Sequence, residues 1–188
     1  MIAWRLRRTW HVEPLLRRVA HYVLRAEGFE TGELSIVVIG ARAMSALHLR
    51  YLGVCGPTDV LSFDLACDRA RAHVDGEVVL CADLARRRTS RGGLRAARAE
   101  LALYLAHGIL HLAGYDDATP EGAERMHARE DELLTALGLG AVYRERTPRY
   151  STTLPKFIRR KVTSRNPACS NRRASASADS KVRIERGR

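Results

Sequence analysis

The sequence predicts an α+β domain, in which a small mixed β-sheet is packed by helices. Strand-like runs of β-branched residues alternate with segments of helical period as far as residue 53, two strand-like runs follow over 58–83, and two helical segments then follow without a strand between them. This order, β-α-β-α-β-β-α-α, excludes a doubly wound parallel sheet, in which strands and helices alternate throughout. The length of 188 residues fits one such domain with an appendage.

The first part of the chain alternates strands and helices. Residues 2–6 are predicted as a short strand, and 12–27 as a helix because apolar residues recur there at helical spacing before Gly28. The β-branched run ELSIVVIG predicts a strand over 33–40, and helical spacing returns over 41–53. These segments supply two strands and two helices to the predicted fold.

The middle of the chain predicts two strands joined by a polar loop. The turn sequence GPT leads into a strand over 58–65, and a polar loop covers 67–75. The apolar run GEVVLCAD then predicts a buried strand over 76–83.

The last part of the domain is predicted to be helical. A helix over about 94–113 is apolar across most of its second half, so we expect it at the centre of the domain. After the loop GYDDAT, Thr119 is a good N-cap and Pro120 fits the first helical position. The final helix is predicted to run to Gly138.

The positive charge is concentrated at the C-terminus. Residues 151–188 contain eleven of the 32 Lys and Arg residues but two of the 21 acidic residues, whereas the rest of the chain is nearly neutral. We predict a domain over 1–145 and a basic, disordered tail over 146–188, because so few large apolar residues cannot offset the entropy of ordering. The tail either contacts RNA phosphates through its charge or is an extension without a role.

Cysteine usage and hydropathy predict the compartment. The cysteines, Cys55, Cys67, Cys81 and Cys169, form no CxxC pair, and no segment approaches the ~18 consecutive apolar residues of a membrane span. We therefore expect free thiols, a cytoplasmic protein and no membrane partner.

Two histidines on the predicted central helix are the first candidate metal ligands. His107 and His111 are four residues apart, so they project from one face with Cβ atoms about 5–6 Å apart and can chelate one ion. Gly114 can end the helix and turn Asp116 or Asp117 back towards the same face. Two imidazoles and one carboxylate leave coordination positions open, as a catalytic metal site requires.

The residue after His107 is glycine, whereas the H-E-x-x-H metalloprotease helix has glutamate there. That glutamate is the general base of its class, so a thermolysin-like protease is disfavoured. A glycine inside a helix costs up to about 1 kcal/mol relative to alanine. Gly108 therefore indicates that some group approaches the backbone here, and close packing of the helix is one explanation.

Three segments resemble a single family. The string HGILHLAGYDD over 107–117 resembles the signature of the YbeY endoribonucleases, which are ribosomal-RNA maturation factors. It is followed on the next helix by three further matching residues, Glu121, Met126 and Glu130. The segment 47–65, which contains PTDVLSF, and the strand segment 76–85 are similar to the same family. The resemblance covers most of residues 33–137 and does not include the tail.

The resemblance implies an α+β metallohydrolase that holds one zinc through an H-x₃-H-x₅-H set and acts on RNA. His107 and His111 match the first two ligands, and Asp117 stands where the family usually has the third histidine. A carboxylate there leaves a zinc site at net +1 instead of +2, so we expect less acidification of bound water than a His₃ site gives. The set also suits iron or manganese, and Asp116 is an alternative ligand.

The resemblance also implies a role for Arg50, which matches an arginine near the metal. It would bind the scissile phosphate and offset the charge that grows on it, whereas a helix arginine otherwise forms a surface salt bridge. Thr58, Asp59 and Ser62 match the PTDVLSF motif, and we interpret them as structural. The general base is left open among Asp116, a second water and the RNA 2′-hydroxyl.

Together these observations predict a zinc-dependent endoribonuclease, specific for single-stranded RNA, that acts in ribosomal RNA maturation and ribosome biogenesis. Its expected partners are ribosomal RNA and the small ribosomal subunit, and no DNA partner is expected. The alternative is a non-catalytic ribosome assembly factor with a structural metal and an RNA-binding tail. A hydrolase of another substrate, such as an amide, is a third possibility.

Overall fold

The computed structural model describes residues 2–4, 11–89, 92–140, 157–159 and 181–184. Helices and a mixed sheet confirm the predicted α+β class. The elements, in chain order, are β1 (Ile2–Trp4), α1 (Glu13–Ala26), β2 (Thr31–Ile39), α2 (Ala41–Leu52), β3 (Val60–Asp64), β4 (His73–Cys81), α3 (Ala82–Arg88), α4 (Gly93–Leu112), α5 (Pro120–Ala136), β5 (Phe157–Arg159) and β6 (Lys181–Ile184).

Three strands form the body of the sheet. β2 pairs in parallel with β4 along its whole length, and β3 pairs antiparallel with β4, with Ser62 opposite Val78. Three short strands extend the edges: β1 and β6 pair with β2, and β5 pairs with β3. The pairing directions are therefore mixed, as predicted.

Two hydrophobic layers cover the two faces of the sheet. One layer combines buried residues of α1, α3, α4 and α5 with residues of β2, β3 and β4, and the other combines residues of α2 and the partly buried Leu84 of α3 with the opposite face of the sheet. β3 alternates between them, because Val60 belongs to the first layer and Leu61 and Phe63 to the second. Each fully buried leucine contributes about 1.5–3 kcal/mol.

The helix α4 lies at the centre of the domain, as predicted. Every residue from Glu100 to Leu112 is buried. A helix that is buried on all sides is apolar all round, which explains why its C-terminal half has so few polar residues. The polar residues that do occur there are therefore enclosed by the fold.

Two elements within residues 11–140 differ from the sequence prediction. The seven-residue α3 was not predicted, and β4 begins at His73, inside the segment predicted as a polar loop. The carboxylate of Asp83, in the first turn of α3, accepts a hydrogen bond of 2.7 Å from the backbone N–H of Ala41, where α2 begins. A helix this short depends on such tertiary contacts more than on its own propensity.

Most of the predicted tail, 146–188, lies outside the described residues. Two segments of it, β5 and β6, are strands on opposite edges of the sheet, which the sequence did not predict. The edge of a sheet presents backbone groups that an extended chain can pair with, whatever its side chains. The domain boundary at residue 145 also lies outside the described residues and stays a prediction.

None of the described helices combines the length and apolar character of a membrane span.

Candidate metal centre

The two histidines lie at the C-terminal end of α4, where the chain reverses. His107 and His111 are one turn apart, and their rings meet edge to face with centroids 4.6 Å apart. Gly114 adopts φ +93°, and the Tyr115 N–H donates to the carbonyl of Leu110, which closes the helix in a Schellman arrangement. The following loop therefore turns back towards the histidine side chains.

This reversal brings Asp117 to the histidines. Its two carboxylate oxygens lie 3.8 Å from Nε2 of His107 and 3.7 Å from Nε2 of His111. Asp116 is exposed instead, and its Oδ1 accepts a 3.0 Å hydrogen bond from the N–H of Ala118. Of the two carboxylates that the sequence left open, Asp117 is the one placed to share an ion with the histidines.

The Nδ1 atoms of both rings are held by acceptors. Nδ1 of His107 is 2.7 Å from Oε1 of Glu130, and Nδ1 of His111 is 3.1 Å from the carbonyl oxygen of Tyr115. A carbonyl and a carboxylate can only accept, so both Nδ1 atoms carry the proton. The lone pair of each neutral imidazole is then on Nε2, which is the tautomer that binds a metal.

The spacing of the three donors fits a common ion. Nitrogen ligands lie about 2.0–2.1 Å from zinc, so two of them on one ion are at most about 4.2 Å apart. The Nε2 atoms of His107 and His111 are 3.0 Å apart, and donor atoms of the three side chains all lie within 4.8 Å of one another. Two unprotonated nitrogens at 3.0 Å repel each other unless a cation or proton lies between them. This donor set therefore fits a bound divalent metal.

Burial of the site leaves one open side. The side chain of His111 is 3% exposed and that of His107 10%, whereas that of Asp117 is 19% exposed. The group is therefore exposed to solvent on the side of the loop that carries Asp117.

Glu130 is the functional residue whose role the sequence did not predict. It lies on α5, is 1% exposed, and contacts His107 across 23 residues of sequence. A carboxylate that holds the far nitrogen of a ligating histidine fixes the ring and makes it a stronger ligand. The only sequence signal was its place in the family-like string, because α5 otherwise has an ordinary amphipathic pattern.

Gly108 packs against the sheet between the two histidines. A Cβ built at this position would lie 2.7 Å from Cγ1 of Val78, 2.8 Å from Oγ of Ser62 and 3.2 Å from Cγ2 of Val60. Close packing of α4 on β3 and β4 therefore explains the glycine. The contact sets the distance of the ligand histidines from the sheet.

The Asp of the PTDVLSF motif belongs to a charged cluster further along the same side of α4. Nη1 of Arg88 lies 3.1 Å from Oδ2 of Asp59 and 3.7 Å from Oε1 of Glu100. Burial and the Glu100 carboxylate raise the pKa of Tyr104 above its ordinary value. Burial acts to lower the pKa of Arg88, but its neighbours Tyr104, Asp59 and Glu100 raise it. The cluster ties α3, the start of β3 and α4 together.

The motif residues Thr58, Asp59 and Ser62 have contacts that agree with a structural interpretation. Oδ1 of Asp59 accepts hydrogen bonds from the Thr58 hydroxyl and from the N–H of Val60, both at 3.0 Å. Ser62 is fully buried against α4. Thr58 and Asp59 therefore fix the turn that leads into β3, and Ser62 lies within the strand.

Arg50 is not brought into the ligand group. It is exposed near the end of α2, and its Cζ lies 5.5 Å from the ring centroid of Tyr51. Within the described residues, no hydrogen bond or ion pair joins it to His107, His111 or Asp117. Its assignment as a phosphate-binding residue stays a prediction.

The fold and this group define the class of protein: an α+β domain with a candidate single-metal site of two histidines and a carboxylate. A sequence model described as "Endoribonuclease YbeY" matches residues 6–138. The chain belongs to the YbeY endoribonuclease family.

Relatives named "Endoribonuclease YbeY" support this assignment. One from Anaeromyxobacter sp. (strain Fw109-5) is 40% identical over 171 residues, which cover 89% of this chain and 88% of the relative. Another from Frankia casuarinae is 42% identical over 135 residues, covering 66% of this chain and 67% of the relative. A third from Mycolicibacterium smegmatis is 36% identical over 132 residues, covering 65% of this chain and 74% of the relative.

A solved structure is similar in fold. The solution structure of TM1509 from Thermotoga maritima matches with a TM-score of 0.50 and 21% identity, over 79% of this chain and 97% of that protein. At that identity the likeness concerns the fold alone.

Proposed function

We propose that this protein is a zinc-dependent endoribonuclease that cleaves single-stranded RNA in the maturation of ribosomal RNA. The observation that supports it is the convergence of the Nε2 atoms of His107 and His111 on Asp117, with both Nδ1 atoms held by acceptors. The names of the relatives support RNA as the substrate. We also propose that the protein acts in the cytoplasm and that its partners are ribosomal RNA and the small ribosomal subunit.

Each residue of the site has a distinct task in this proposal. His107, His111 and Asp117 would hold the metal, which when bound supplies a Lewis acid and an acidified water. Glu130 holds the ring of His107, and the Tyr115 carbonyl holds that of His111. The exposed guanidinium of Arg50 is free to bind a phosphate of the RNA and offset its charge.

The decisive experiment removes one buried ligand. We expect His111→Ala to lose bound zinc and cleavage of a single-stranded RNA while the domain stays folded, because its Nε2 is one of three donors. Elemental analysis, a cleavage assay and circular dichroism on the same samples measure the three properties. Cleavage by metal-free variant protein would contradict the proposal.

The assembly-factor alternative has one observation in its favour. The ligand group joins α4 to the loop that precedes α5, so a metal there would hold these elements together even without chemistry. In that case removal of zinc by a chelator unfolds the domain, and the loaded protein cleaves no RNA. Thermal unfolding with and without chelator, beside the cleavage assay, separates the two functions.

A further inference from the structure

Tyr51 is an exposed aromatic residue on a rigid support. It is the second-last residue of α2, and 46% of its surface is exposed. Its ring meets Phe63 edge to face, with centroids 4.9 Å apart and planes at 74°. Because Phe63 is 9% exposed and lies on β3, it holds the Tyr51 ring against the sheet.

An arginine lies over one face of the same ring. Cζ of Arg50 is 5.5 Å from the Tyr51 centroid, within the range of a cation–π contact. No hydrogen bond or ion pair with another described residue engages this guanidinium, so its donors face solvent. Tyr22 on α1 is nearly as exposed, at 40%, but has no such ring or cation contact with the described residues. The exposed surface at Tyr51 is thus a fixed ring with a neighbouring cation.

We propose that Arg50, Tyr51 and Phe63 form a stacking platform that binds an unpaired nucleobase of single-stranded RNA. Proteins bind unpaired bases by stacking them on aromatic rings and on guanidinium planes, and the adjacent cation contacts the phosphate. Bases within a duplex have their faces covered and cannot stack on a side chain. The platform therefore supplies the preference for single strands, and this inference rests on the proposed function for the nature of the ligand.

The Tyr51 ring lies outside the group formed by His107, His111 and Asp117. Phe63 and Ser62 are neighbours on β3, so their side chains point to opposite faces of the sheet. Ser62 faces Gly108, between the ligand histidines, whereas Phe63 lies in the layer of α2. Tyr51 is therefore not part of the metal centre. Its stacking contributes to binding of the substrate and leaves the chemical step unchanged.

Direct binding tests the platform without cleavage. The full chain is treated with a chelator, its fold is checked by circular dichroism, and fluorescence anisotropy records binding of a labelled single-stranded oligonucleotide. We expect Tyr51→Ala to weaken binding about fivefold or more and Tyr51→Phe to retain it, because stacking needs the ring and not the hydroxyl. Tyr22→Ala is the matched control and should bind as the parent does. Binding of a duplex of the same sequence should not respond to any of these changes.

Steady-state cleavage by the zinc-loaded protein gives a second measurement. Tyr51→Ala should raise KM for a long single-stranded substrate by a similar factor with kcat unchanged. Equal binding by Tyr51→Ala and the parent, or an effect confined to kcat, would overturn the platform. An equally weakened Tyr22→Ala would do so too.

The outcomes separate this inference from the proposed function. If neither the parent protein nor any variant cleaves RNA, but binding of single-stranded RNA depends on Tyr51, the platform is supported and the nuclease function fails. If the parent cleaves RNA and Tyr51→Ala has the parent's affinity and KM, the nuclease function is supported and the platform fails.

Discussion

At the scale of single residues, the hydrogen bond from His107 to Glu130 determines how good a ligand the histidine is. Both partners are almost fully buried, and the contact is 2.7 Å. An anionic acceptor on Nδ1 increases electron density on Nε2 and prevents the ring from rotating. His111 has a weaker, neutral acceptor in the Tyr115 carbonyl at 3.1 Å. If both histidines bind a metal, we therefore expect His107 to be the stronger ligand.

Substitution of Glu130 tests whether its hydrogen bond to His107 influences metal binding. Glu130→Ala should lower zinc affinity by about 10–100-fold, and Glu130→Gln by less, because the amide oxygen still accepts from Nδ1. Competition with a chelating dye measures the affinity, and Glu124→Ala, an exposed position on the same helix, is the control. Equal zinc affinity in Glu130→Ala and the parent would show that the hydrogen bond has no influence on the metal.

The presence of a carboxylate at position 117 leads to a separate prediction about the net charge of the site. Asp117→His should retain zinc, because an imidazole can occupy the partly exposed third position, and it raises the net charge of the site by one. The acid limb of the pH profile of cleavage should therefore move to lower pH than in the parent. Rates measured across pH 5–9, about two units either side of neutrality, record the shift. A shift in the opposite direction would contradict the assigned third ligand.

At the scale of secondary-structure elements, the contact of α4 with β3 and β4 sets the position of both histidines. Gly108 allows this close approach, and the buried hydroxyl of Ser62 has no hydrogen-bond partner there among the described residues. A larger residue at 108 has to displace the helix or the strand side chains, and the ligands on either side move with the helix.

Gly108→Ala should therefore destabilise the domain and weaken metal binding. Overpacking costs about 1–3 kcal/mol, and better helix propensity returns up to about 1 kcal/mol, so we expect a net destabilisation of about 1 kcal/mol. Urea denaturation with and without zinc measures it. Ser62→Ala removes one of the clashing atoms, so the destabilisation should be smaller in the double variant. A stabilised Gly108→Ala would contradict the packing explanation.

The sequence predicted elements and ligands better than contacts between distant segments. The His107–His111 pair follows from helical spacing, and the Gly114 reversal was visible in the string that follows it. The role of Glu130 could not be predicted in this way, because the pattern of an amphipathic helix does not show which residue of another helix a buried acid contacts. The same reason explains α3, whose seven residues end in three arginines and depend on contacts such as that of Asp83 with α2. Strand order likewise depends on contacts that local patterns do not specify.

At the scale of the whole molecule, charge is separated from the catalytic domain along the chain. The last 38 residues hold eleven of the 32 Lys and Arg residues. Two of their segments pair with opposite edges of the sheet, β5 beside β3 and β6 beside β2. The positive charge of these residues favours binding of RNA of any sequence.

The salt dependence of RNA binding tests whether the tail takes part. The double substitution Arg172→Gln and Arg173→Gln removes two positive charges and does not change the segments of β5 and β6. The slope of log affinity against log salt should become shallower by about 0.7 for each phosphate of a single strand that these arginines neutralise in the parent. Arg17→Gln and Arg18→Gln on α1 form a control with the same change of net charge. An unchanged slope in the tail variant would show that these arginines do not bind RNA. An equal change of slope in the control would show that the effect arises from the net charge of the protein and not from the tail.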